Sequence, residues 1–76
     1  MKFNFYNVRK QAFKEIEDII EIKKEIEVAT IVRYITKKYG FGLIFVNRIL
    51  NDMELEGKVK IEYSELHPLI VKLTPK

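Results

Sequence analysis

Cysteine and tryptophan are absent from the 76 residues, histidine occurs once, and there are only two prolines and three glycines. The lack of cysteine removes disulfides, thiolate metal ligands and a cysteine nucleophile at once. His67 alone cannot assemble the ligand set of a structural zinc site, so no metal and no cofactor are expected. Long hydrophobic runs are missing too. The longest, Leu43 to Val46, falls far short of the roughly 20 residues that a membrane helix needs. The start, Met1 to Asn7, has neither an apolar signal region nor a small-residue cleavage site. A soluble, cytoplasmic chain without membrane contact is the expectation. Neither glycine nor proline occurs before Gly40, so helices can run unbroken there.

What is present is a globular composition. The chain is 47% hydrophobic and 33% charged, which separates it from disordered sequences. Its length suits one domain over residues 1–76. A core this small supplies only about 3–5 kcal/mol, so it must be well packed or completed by a partner. The formal charge of +3 permits contact with nucleic acid without requiring it.

Residues 1–6 read as an N-terminal extension, and Asn7 is placed to cap a first helix. Val8, Ala12, Phe13, Ile16, Ile19 and Ile20 follow at spacings of three and four, which predicts an amphipathic helix to about Lys24. Glu25 to Val28 alternates and suits a very short strand. Val28, Ile31, Val32 and Ile35 line one face of a second helix, with Thr30, Arg33, Lys37 and Lys38 pointing away. Gly40 stops it as a left-handed residue would, with Phe41 set for the accompanying apolar contact. From Phe41 to Val46 composition reads as a strand, whereas periodicity reads as the start of a helix. On a helical wheel Leu43, Ile49, Leu50 and Met53 gather within about 60° of Val46. That stripe ends at Gly57, so a third helix over 43–56 is predicted. Ile44 and Leu55 then face outward beside Arg48, Asn51 and Asp52, with Phe45 at the flank. Two alternating strands follow over 58–74. Val59, Ile61 and Tyr63 point inward from the first, and Leu69, Val71 and Leu73 from the second. A five-residue tip, Ser64 to Pro68, joins them.

The order helix, short strand, helix, turn, helix, hairpin resembles the winged helix-turn-helix domain of DNA-binding regulators over residues 8–74. The most specific part is Val46-Asn-Arg-Ile-Leu-Asn-Asp-Met-Glu-Leu-Glu-Gly-Lys-Val59. It is similar to that family's recognition helix running into its first wing strand. Ile26-Glu-Val-Ala-Thr-Ile31 is similar to the lead-in to the second helix. Size and composition are similar to those of small archaeal and archaeal-virus members. The resemblance implies an α+β fold, three helices followed by a C-terminal two-stranded antiparallel β-hairpin, the wing. It also implies sequence-specific binding of double-stranded DNA by a transcriptional regulator, with the third helix in the major groove. Asn47, Arg48 and Asn51 would then face base edges, and Ile44 and Phe45 would pack on thymine methyl groups. Thr30, Arg33, Lys37 and Lys38 would hold phosphates, as would Lys58 and Lys60 at the base of the wing.

Other features pull against that reading. The tip carries Glu65 and no permanent cation, and Asp52, Glu54 and Glu56 repel phosphate. Ile44, Phe45, Leu55 and Leu66 leave an alternative open, a winged helix that docks on another protein. An enzyme is not expected. Ser64 and His67 stand three apart in a turn with no third group to orient them. Gly40-Phe-Gly42 follows a helix rather than a strand, which a phosphate loop does not. The acids of the first helix are interspersed with lysines, as on a solvated face with ion pairs. A homodimer is expected, because Phe3, Phe5 and Tyr6 in the extension and Ile22 off the main stripe offer apolar surface that a second copy would bury.

Overall fold

Helix formation follows the apolar spacing. In the computed structural model, which describes residues 5–75, α1 spans Phe5–Lys23, α2 Val28–Tyr39 and α3 Leu43–Leu55. A three-residue strand, β1 (Glu25–Glu27), lies between α1 and α2. β2 (Val59–Ser64) and β3 (His67–Leu73) form the C-terminal antiparallel hairpin. The chain is therefore α+β and winged-helix-like, as the pattern of elements implies. β3 is the central strand, in the order β1-β3-β2, and meets β1 only from Glu25↔Lys72 to Glu27↔Ile70.

Each helix turns one stripe to a shared core. Ile16 and Ile20 from α1, Ile31 and Ile35 from α2, and Leu50 and Met53 from α3 are at most 1% exposed. Val59, Ile61 and Val71 close the core from the sheet. Burying each such side chain contributes about 1.5–3 kcal/mol, before the entropy of ordering it is set against that gain.

All three helices stop at a left-handed residue. At α2, Gly40 takes φ 80° and its N–H donates to the Thr36 carbonyl at 2.9 Å. At α3, Gly57 takes φ 76°, its N–H donates to the Glu54 carbonyl and that of Lys58 to the Met53 carbonyl, both at 3.0 Å. Those are the two bonds of a Schellman motif. At α1 the left-handed position falls on Lys24, with φ 67° and an N–H that donates to the Ile20 carbonyl at 2.7 Å. A side chain in this conformation costs about 1–2 kcal/mol. The sheet holds it there, because the Leu73 N–H donates to the Lys24 carbonyl at 2.7 Å.

Several expectations are corrected. Asn7 does not cap α1; it lies in the first turn of a helix that starts at Phe5. The Phe5 ring packs against Phe41 and Phe45, and this tertiary contact orders residues that the local cap signal left in an extension. The hairpin tip is Glu65 and Leu66 alone, since Ser64 pairs with His67 and Tyr63 with Pro68. A proline fits there because β1 reaches no further than Ile70, so β3 has one neighbour at that point. The register slips between Glu62 and Tyr63, which leaves Leu69 bulged; Leu69 is 49% and Tyr63, at the slip, 50% exposed instead of inward. Leu43 is 44% exposed, because it opens α3 almost a turn before Val46, the first buried position. Among the described residues no helix is long and apolar enough to cross a membrane.

Candidate nucleic-acid interface

The outward side of α3 is set by its spacing. Ile44, Arg48, Asn51 and Leu55 recur at intervals of four, three and four, which gathers them on one stripe. The opposite side carries Val46, Ile49, Leu50 and Met53, all buried. Ile44 is 74% and Leu55 87% exposed, and Arg48 and Asn51 are exposed between them. Asn47 falls at the flank, and its Oδ1 is buried without a hydrogen-bond partner. An amide turned inward in this way does not offer the paired donor and acceptor that reading adenine requires.

The acids of the C-terminal half of α3 are engaged within the fold. Asp52 pairs with Arg9 of α1. Glu54 Oε2 accepts the Ile61 N–H of the edge strand β2 at 3.1 Å. Glu56, which caps α3, pairs with Lys58 at 3.3 Å. Arg48 is left as the one charged side chain of α3 with no partner among the described residues.

On α2, Thr30, Arg33 and Lys37 share a stripe, and Arg33 Nη2 donates to Thr30 Oγ1 at 3.5 Å. Lys37 is exposed and has no ion-pair partner among the described residues. Lys38 is differently placed. It pairs with Glu15 of α1, which also accepts the hydroxyl of Tyr39 and, at 3.0 Å, that of Tyr34. Burial alone would raise the Glu15 pKa, but the hydrogen bonds from Lys38, Tyr39 and Tyr34 outweigh it and hold the carboxyl below its ordinary 4.5. The bond to Glu15 keeps Lys38 well above the usual lysine range. Burial, and then the bond to Glu15, raise Tyr39. The carboxylate ties α1 to α2 and occupies the ammonium.

At the base of the wing, Lys58 pairs with Glu17 at 2.8 Å as well as with Glu56, and lies 5.6 Å from the centre of the Phe13 ring. Its pKa is raised first by Glu17 and then by Glu56. Lys60 is exposed and stands opposite Lys72. Like charges across a strand pair repel, but Lys72 is offset by Glu62 at 3.0 Å and Glu25 at 3.6 Å. Lys60 has no ion-pair partner among the described residues.

Phe45 does not stand on the outward stripe. It stacks on Phe41 with ring centres 4.6 Å apart, and Phe5 meets both rings edge-on at 5.5 and 5.9 Å. The residues expected at a dimer contact are dispersed. Phe3 lies outside the described residues. Phe5 belongs to the aromatic trio, and Tyr6 carries the Lys10 ammonium 5.3 Å from its ring centre. Ile22 is 78% exposed, but it sits about 24 Å along α1 from Tyr6 and about 160° around it. Among the described residues, Tyr6 and Ile22 therefore do not share one face of α1.

Hollows among the described residues include the following two. A groove of about 860 Å³ runs between the C-terminal ends of α1 and α3, over Ile20, Met53 and Val59, with the paired Glu17 and Lys58 on its rim. A second, of about 590 Å³, lies against the aromatic trio and is bordered by Leu43, Ile44 and Arg48. Glu15 was not legible as a site residue. The available signal was the i, i+4 pair Tyr34 and Lys38, two donors on one face of α2 that need an acceptor. Among the described residues no group of three or more histidines and acids is placed to hold a metal ion. No family model, curated protein or solved structure matches this chain.

Proposed function

We propose that this chain binds double-stranded DNA sequence-specifically through α3, laid in the major groove, and acts as a transcriptional regulator. The observation that carries the reading is the outward stripe of α3. Its Arg48 has no partner among the described residues, while Asp52, Glu54 and Glu56 are held by partners inside the fold. An unpaired arginine suits the O6 and N7 acceptors of guanine, and Asn51 suits adenine. Ile44 faces outward one turn from Arg48, where a thymine methyl can cover it. Arg33, Thr30 and Lys37 serve phosphates, as does Lys60 at the wing. Lys38, Lys58, Asn47 and Phe45 drop out of the contact set, because their polar atoms or rings are occupied or turned inward.

The test is fluorescence anisotropy on sites selected from a random duplex pool. Arg48→Ala is expected to lose about 1–3 kcal/mol and to relax preference at one base position. Unchanged affinity and preference would remove α3 as the reader. A protein-docking role is the second reading, supported by Leu55 and Leu66, 87% and 92% exposed at the end of α3 and the tip of the wing. Absence of duplex binding even at low salt would favour it.

A further inference from the structure

We propose that the hollow between the N-terminal ends of α1 and α3 binds a small molecule with a flat or branched apolar body and one anionic group, held by Arg48. The trio Phe5, Phe41 and Phe45 lines the hollow together with Leu43 and Ile44. Its volume of about 590 Å³ falls in the range of about 300–1,000 Å³ typical of small-molecule sites. Phe5 is 50%, Leu43 44% and Ile44 74% exposed, so aromatic and branched surface stands open together. Ring edges and faces of this kind attract a further aromatic body.

Charge selects the class of ligand. Among the described residues, Arg48 is the only charged one lining the hollow, and no carboxylate neutralises it. Guanidinium binds carboxylate and similar anions in a paired geometry that a cation cannot replace. An apolar anion is therefore matched twice, at the rings and at the arginine. A consequence follows that rests on the proposed DNA reading. Arg48 cannot hold a bound anion and a guanine edge at once, so ligand and DNA exclude one another.

The experiment uses the full chain with 1-naphthoate as the anionic probe and 1-naphthylmethylamine as its cationic counterpart, followed by calorimetry and by NMR of the phenylalanine rings. Saturable binding of naphthoate, no binding of the amine, and weakening by roughly tenfold or more in Arg48→Gln are expected. Ile44→Glu, at an exposed position that leaves the core intact, should weaken naphthoate comparably by placing a carboxylate beside the arginine. Equal binding to Arg48→Gln, equal binding of the amine, or no saturation by naphthoate would each overturn the site. So would binding that appears only after residues 1–4 are deleted, which would make that segment the occupant. A chain that refuses naphthoate and sediments as a dimer would assign the hollow to a second copy and overturn the site as well. In competition, naphthoate should release bound duplex. If no duplex binds under any salt condition, the naphthoate isotherms still decide the ligand site, and only the DNA reading falls. If naphthoate and duplex bind together, the shared use of Arg48 is wrong.

Discussion

Lys37 and Lys38 are neighbours in the chain with opposite surroundings. Lys37 is exposed on the stripe of Thr30 and Arg33, whereas Lys38 lies within the reach of Glu15, Tyr34 and Tyr39. Lys37→Ala is expected to weaken binding to all duplexes alike and to flatten the dependence on salt. Lys38→Ala should leave that dependence unchanged and lower the melting temperature, because Glu15 loses a partner. Equal effects on binding would show that Glu15 releases Lys38 to phosphate. The same cluster gives a dependence on pH. Glu15 is held below its ordinary 4.5, so its contribution to stability is complete above that value and is lost as pH falls through the lowered one. Between pH 7 and 5 stability from this group should be flat. Below about pH 4.5 the parent should lose stability more steeply than Glu15→Gln, as read by urea midpoints across that interval. Parallel curves would mean that the three donors do not favour the ionised carboxyl.

At the scale of elements, the helix stops explain which boundaries were legible. Gly40 and Gly57 announced themselves, because a left-handed residue after an apolar stripe is most often glycine. Lys24 occupies the same conformation, and no composition rule flags a lysine there. A paired test follows. Gly57→Ala should cost about 1–2 kcal/mol through its backbone alone, since a Cβ at that position meets nothing within 4 Å. Lys24→Gly should instead stabilise by about 0.5–1 kcal/mol, as read by denaturant midpoints. Destabilisation by Lys24→Gly would mean that its side chain contributes more than its backbone costs. The core positions and the third helix were legible, because Val46, Ile49, Leu50 and Met53 repeat with the helical period. The wing was less so. Pro68 reads as the end of the tip, and only the short reach of β1 makes it admissible in β3. The bulge at Leu69 is a property of pairing between strands and leaves no mark on alternation within one strand. In the candidate site, exposure of Ile44, Arg48 and Asn51 could be read from the wheel. Removal of Lys38 and Lys58 from it could not, since their partners, Glu15 and Glu17, lie more than twenty residues away.

For the whole molecule, what matters is where the cations are left unpaired. The formal charge of +3 is small, but it is a sum over groups in unlike situations. Arg9, Lys38, Lys58 and Lys72 are each set against a carboxylate from another element. Among the described residues no carboxylate pairs with Arg33, Lys37, Arg48 or Lys60, and these four are assigned to DNA in the proposed function. Each phosphate neutralised adds about −0.9 to the slope of log affinity against log salt, so the three set on phosphate, Arg33, Lys37 and Lys60, give about −2.7. Counting Lys38 and Lys58 as well would predict five phosphate contacts and a slope nearer about −4.5. The measured slope thus tests whether internal ion pairing, rather than sequence position, decides which cations reach the backbone. Lys58→Ala should leave the slope where it is, and Lys60→Ala should reduce it by about one unit. Arg48 is the exception within the set, because an arginine on a base edge shifts specificity more than salt dependence. A slope near about −4.5 that falls with Lys58→Ala would show that DNA outcompetes Glu17 and Glu56 for that ammonium, and the wing base would return to the interface.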